Sequence, residues 1–173
     1  HAFLPFRFVD HSHATAILAL ADQTDMADTV KRIYGHRLAF VPYVMPGFDL
    51  SIEADKVYRA NPDCQGLWLE NHGLFTFADT AKGSYDLMIE FVTMAEQELA
   101  AKGAALAGPQ ETDRHADEAL LQRLQNVLRG EGSPFAKALH MDYRSTPAIR
   151  DYVSRADVDD LSARGTVTPD HVI

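Results

Sequence analysis

At 173 residues, the chain is long enough to bury a sizeable core in one domain and too short to suggest two. Its composition, 46% hydrophobic and 24% charged with no apolar run of bilayer-spanning length, excludes a membrane role, and a formal net charge of -9 excludes general attraction to nucleic acid phosphates. Cys64 is the only cysteine, so neither an intrachain disulfide nor a thiolate zinc site can form, and a reducing cytoplasm is the expected setting.

Phe3, Phe6, Phe8 and Val9 predict an extended segment that leads into Asp10-His11-Ser12-His13. Residues two apart in a strand project from one face, so His11 and His13 aim both imidazoles at one point while Ser12 faces away. A third imidazole from a strand end, such as His72, would complete three nitrogen ligands and leave a coordination position open, the geometry of a catalytic metal rather than a structural one. Asp10, next to the pair, reads as a strand-end carboxylate.

Two helices are expected next, Ala14 to Gln23 and Asp25 to Tyr34, the second stopped by Gly35. Leu38 to Tyr43 reads as a strand closed by Pro42 and by Pro46-Gly47, and Leu50 to Ala60 as a helix closed by Asn61-Pro62. Tyr43 and Asp49 bracket the Pro-Gly loop in structural roles. Cys64 reads as a small, partly buried residue where a strand begins, not as a nucleophile. Gly66 to Glu70 and Gly73 to Phe77 are strands, with His72 at the break between them and Gly73 free to take a conformation barred to other residues.

The longest helix spans Thr80 to about Lys102, and its stripe of Ala81, Tyr85, Met88, Val92, Ala95 and Leu99 is a core face. Ala104 to Asp113 reads as a linker, Asp117 to Arg129 as an amphipathic helix, Ala138 to Tyr143 as a short strand and Thr146 to Ser154 as a helix begun by Pro147. A short helix follows Asp157, then Gly165 and a turn at Thr168-Pro169-Asp170-His171.

This order of parts, a His-Ser-His strand, an Ala-rich helix, a Val-Pro-Tyr strand with a Pro-Gly loop, a helix, a strand ending Asn71-His72-Gly73 and a long amphipathic helix, resembles the class II aldolase/adducin family over about the first 100 residues. The family commonly has His-Thr-His-Pro where this chain has His11-Ser12-His13-Ala14, a change that keeps both presumed ligands. The resemblance implies an α/β, three-layer αβα fold with a largely antiparallel central sheet, and a divalent metal, most simply Zn2+, on His11, His13 and His72. Glu70 and Asn71 are candidates for a role beside those ligands. Arg155-Ala156-Asp157 and the ending Gly165 to His171 are similar to the aldolase region of bifunctional rhamnulose-1-phosphate aldolase/short-chain dehydrogenase proteins, which makes His171 a further candidate to approach the site.

On that resemblance, residues 1–108 form the aldolase/adducin-like core, and residues 109–173 form a helical C-terminal extension of the same domain that leads to a dehydrogenase domain. The family's phosphate-binding loop and catalytic acid/base lie before its His-x-His strand, so they are expected upstream of His1, which is not a Met and suggests a piece of a longer polypeptide. No G-x-G-x-x-G stretch is present to bind NAD. The implied reaction is metal-dependent cleavage of a ketose 1-phosphate, rhamnulose-1-phosphate-like, into dihydroxyacetone phosphate and a small hydroxyaldehyde, in a homo-oligomer, by resemblance a tetramer. The alternatives are a sugar-phosphate epimerase or dehydratase on the same metal frame, or a non-enzymatic adducin-like interaction domain.

Overall fold

The structure, a computed structural model, describes residues 3–104, 111–113, 115, 117–130, 132–135 and 139–168. The chain divides into two compact units, His1–Leu106 with Gly165–Ile173, and Ala107–Arg164.

In the first unit, β1 (Phe8–Ser12) is followed by α1 (Thr15–Ala21) and α2 (Met26–Tyr34), and a single 3-10 turn then leads to β2 (Leu38–Val41). Next come α3 (Phe48–Ala60), β3 (Gly66–Leu69), β4 (Gly73–Ala78) and α4 (Ala81–Ala101). The sheet order is β1-β4-β3-β2. β3 and β4 are joined by a tight turn and pair antiparallel, as do β1 and β4, whereas β2 and β3 are bridged by α3 and pair parallel. A parallel pair needs such a crossover, because the chain must return to its starting end before the second strand begins. The sheet is therefore mixed, with antiparallel pairing predominant.

Strand alternation divides the core in two. Trp68 and Leu74, opposite each other in register, pack with Ile17, Leu20, Tyr34 and Phe91 beneath α1, α2 and α4. Leu67, Leu69 and Phe77 face the other way, against Val41 and the α3 residues Leu50 and Ala54. This is a helix-sheet-helix arrangement in three layers. All of β3 is buried, which is why its sequence Gly-Leu-Trp-Leu shows no polar alternation. α4 starts where Thr80 Oγ1 accepts the Gly83 N–H at 3.0 Å, a side-chain cap on an otherwise orphaned donor. Arg32 of α2 reaches Glu98 of α4 through two hydrogen bonds of 2.9 and 2.7 Å.

The second unit has α5 (Glu118–Leu128), α6 (Pro147–Val153) and α7 (Val158–Ala163). Asp117 caps α5 through the Leu120 N–H, and Thr146 caps α6 through the Ile149 N–H, with Pro147 in the first turn. Of the strand expected over Ala138 to Tyr143, Ala138 lies outside the described residues and residues 139–143 form no strand. Residues 139–144 are irregular, and the extended pairing here is a single bridge between Asp113 and Ser145. An apolar-polar alternation becomes a strand only when a neighbour supplies hydrogen bonds along its length.

Candidate metal centre

His11 lies inside β1, opposite Phe75 of β4, and its ring stacks on that phenyl at 4.3 Å between centroids. Ser12 points to the other side, where its Oγ donates to Met88 Sδ at 3.0 Å. The two-residue period then brings His13, just past the strand, back towards His11, with ring centroids 4.6 Å apart.

His72 arrives from the β3–β4 turn. Asn71 has a left-handed φ of 51°, a conformation that asparagine tolerates better than most residues, and the His72 N–H donates to Leu69 O at 3.2 Å. Its ring, only 4% exposed, sits 5.1 Å from both other imidazoles. One ring nitrogen from each histidine can be chosen so that all three lie within 4.8 Å of one another. Gly73 makes this convergence possible, because a Cβ there would stand 2.6 Å from Ser12 O and 2.9 Å from His13 Cδ2.

The donor set fits a divalent ion. His11 Nδ1 lies 3.0 Å from Leu74 O, and since a carbonyl only accepts, Nδ1 carries the proton and Nε2 keeps its lone pair for a ligand.

The other candidates fall elsewhere. Glu70 Oε2 accepts the Tyr43 N–H at 2.8 Å, tying the turn to the chain after β2, and it stands outside the histidine group. Asn71 lines a cavity of about 300 Å3 with Asp22, Tyr43 and residues 166–168. His171 lies outside the described residues. A neighbouring cavity of about 430 Å3 is lined by His13, Thr15, Leu18, Ala19, Asp22 and Val167. Burial raises the carboxyl of Asp22, at the C-terminal end of α1, above its ordinary range. The sequence analysis expected the ending of the chain to approach the site through His171 but did not single out Asp22, Thr166 or Val167, since nothing local marks them as lining residues.

A mixed sheet between helical layers, with three histidines meeting at one of its ends, defines a class II aldolase-type domain. The chain belongs to the class II aldolase/adducin family: the family model described as "Class II Aldolase and Adducin N-terminal domain" matches residues 1–99, and that described as "Aldolase class II, second domain" matches residues 118–173. Among curated proteins it is 30% identical over 180 residues to "Uncharacterized oxidoreductase YuxG" of Bacillus subtilis (strain 168), a match covering 100% of this chain and 26% of that protein. The chain thus spans about a quarter of the length of that relative.

Among solved structures it is similar to the N-terminal class II aldolase domain of a conserved protein from Thermoplasma acidophilum, with 41% identity and a TM-score of 0.51 over 57% of this chain and 45% of that one. An aldolase II superfamily protein from Pseudomonas syringae aligns over 95% of this chain and 59% of its own, with 18% identity and a TM-score of 0.47. Class II aldolases as a group depend on divalent metals, and the histidine cluster is a group able to hold one. No helix among the described residues is long and apolar enough to cross a membrane.

Proposed function

We propose that this chain is the metal-dependent aldolase part of a lyase that cleaves a ketose 1-phosphate, of the rhamnulose-1-phosphate kind, into dihydroxyacetone phosphate and a small hydroxyaldehyde. The observation that carries the reading is the convergence of His11, His13 and His72 around Gly73, with His11 oriented by the Leu74 carbonyl. These three side chains would hold the ion, zinc being the simplest choice for an all-imidazole set. A divalent ion there supplies Lewis-acid stabilisation of the negative charge that develops when the bond beside a ketone breaks.

The protein's own part is to keep that site rigid and uncharged. Neutral imidazoles bring no negative charge to it. Leu74 O fixes the tautomer of His11, the Phe75 ring holds its plane, and the Glu70 carboxylate clasps the backbone of Tyr43 beside the His72 turn. An adducin-like interaction domain would need none of this.

The name of the Bacillus relative, and the quarter of its length that this chain spans, support a place beside an oxidoreductase region in a longer protein. The family supports assembly into a homo-oligomer, with the tetramer as its expected form, and the single cysteine suits a cytoplasmic enzyme. The first test is metal content by plasma mass spectrometry for the parent and for His11→Ala and His72→Ala. About one equivalent in the parent and loss in both variants is expected, since truncating one of three ligands leaves too few to retain the ion. Absence of metal after reconstitution with zinc, manganese and cobalt would sink the lyase reading. Turnover of a panel of sugar phosphates by the full-length protein then separates cleavage from epimerisation or dehydration.

A further inference from the structure

The two cavities beside the histidines belong to the first unit and share Asp22 and Val167, so they adjoin as one recess. One has His13 in its wall, and the other has Asn71, the residue before His72. The tie between Glu70 and the Tyr43 backbone holds Tyr43 and Asn71 together on the same wall. Thr166 to Thr168 line it as well, and there Thr166 Oγ1 donates to Thr168 O at 2.8 Å and Thr168 is buried.

The chemistry of this recess is one-sided. Asp22 is the one carboxyl among the described lining residues, and neither lysine nor arginine is present. A phosphate placed here would meet a carboxylate with no lysine or arginine to offset it, whereas a hydroxyl would find a carboxylate to accept its hydrogen bond and an amide or phenol to complete the bonding. Leu18, Ala19 and Val167 give one side an apolar surface, which suits an uncharged carbon end.

We infer that this recess takes the uncharged, hydroxylated half of the substrate and turns its phosphate to the other side of the histidine cluster. The inference rests on the aldolase reading above and adds to it which way round the substrate lies. Asp22 is then a specificity residue contributed from the end of α1, and Val167 closes the recess from the far end of the chain.

Saturation-transfer NMR with threitol, a neutral four-carbon polyol, tests this on the protein as purified, with metal content measured in the same samples. Threitol should show a saturable signal that equimolar inorganic phosphate does not displace. Asp22→Ala should weaken threitol binding about tenfold, the scale of a lost hydrogen bond to a charged group. Val167→Trp, at an exposed position where folding is spared, should abolish the signal by filling the space. Both variants should keep the metal content of the parent. Displacement of threitol by phosphate, or parental threitol binding in both variants, would overturn the inference. Threitol binding in a parent that takes no metal would support the recess and defeat the metal reading, and metal binding without a threitol signal would do the reverse.

Discussion

In the unit built on the sheet, Ile17, Leu67, Trp68, Leu74 and Phe91 are wholly buried, whereas no residue of α5, α6 or α7 is buried and Val127, Val153 and Leu120 stand in the open. α4 of the first unit and α5 and α6 of the second begin with the same chemistry, a side-chain oxygen of Thr80, Asp117 or Thr146 on an early backbone N–H. Capping thus sets where a helix starts, and burial sets what holds it afterwards. The histidine centre lies in the buried unit, where neighbours restrain each ring from several sides. A ligand set needs such restraint, because small displacements of a donor atom weaken a metal bond.

Substitutions matched across the two units would break or sharpen this contrast. The largest effect is expected at Gly73, where a new Cβ meets backbone and ring atoms at 2.6 and 2.9 Å. Gly73→Val should cost about 3 kcal/mol or more by overpacking and abolish metal uptake. Gly130→Ala in the second unit, where an added Cβ would meet Val127 O at 3.4 Å, should leave metal content at the parental value. Metal analysis with chemical denaturation reads both, and parental metal uptake by Gly73→Val would remove the glycine from the argument.

Phe91→Ala, in the core beneath the sheet, should cost about 3–5 kcal/mol, against under about 1 kcal/mol for Leu124→Ala on half-open α5. Equal losses in urea titrations would mean that the second unit has a core as well.

A smaller effect belongs to charge. Arg32 holds the Glu98 carboxyl down from 4.5 to about 2, chiefly through its hydrogen bonds, and the partners are 66 residues apart, so unfolding separates them. A folded-state pKa below the unfolded value contributes stability that is present above about pH 4.5 and is lost as pH falls towards 2. Arg32→Met should therefore be less stable than the parent at neutral pH, and the difference should shrink across that window. A gap that stays constant from pH 6 to about pH 2 would show that Arg32 contributes through packing instead.

The smallest change is expected from Arg155→Met. Arg155 also lowers its partner Asp157, but the two are two residues apart and both exposed, so the pair survives in the unfolded chain. Thermal melting should give this variant the parent's transition temperature, and a clear downward shift would show that the pair holds the folded state.

Much of the first unit could be read before folding, because its signals are short-ranged. The two-residue period put His11 and His13 on one side and Ser12 on the other, and the apolar runs gave β3 and β4. The three- and four-residue stripe gave α4 and put Met88, Ala95 and Leu99 in the core, but Ala81 and Tyr85, counted on that face, are exposed, and Ser84 and Phe91 take the buried places beside Met88. The same local reading put a strand at Ala138 to Tyr143, where residues 139–143 find no neighbouring strand among the described residues.

Other features depend on residues far apart in the chain. The parallel pairing of β2 with β3 follows from α3 crossing the sheet. The third imidazole joins the other two because β4 pairs with β1 in one register, and a shift of one residue would turn His11 away from the cluster. Glu70 turned out to grip Tyr43, and Asp22 came to share a recess with Val167 from the far end of the chain. Periodicity, capping and turn chemistry act within a few residues and are written into the chain itself. Register, the fit of Gly73 between two histidines and the walls of the recess arise only when all the layers pack at once, since each of those contacts is fixed by partners that the local sequence does not contain.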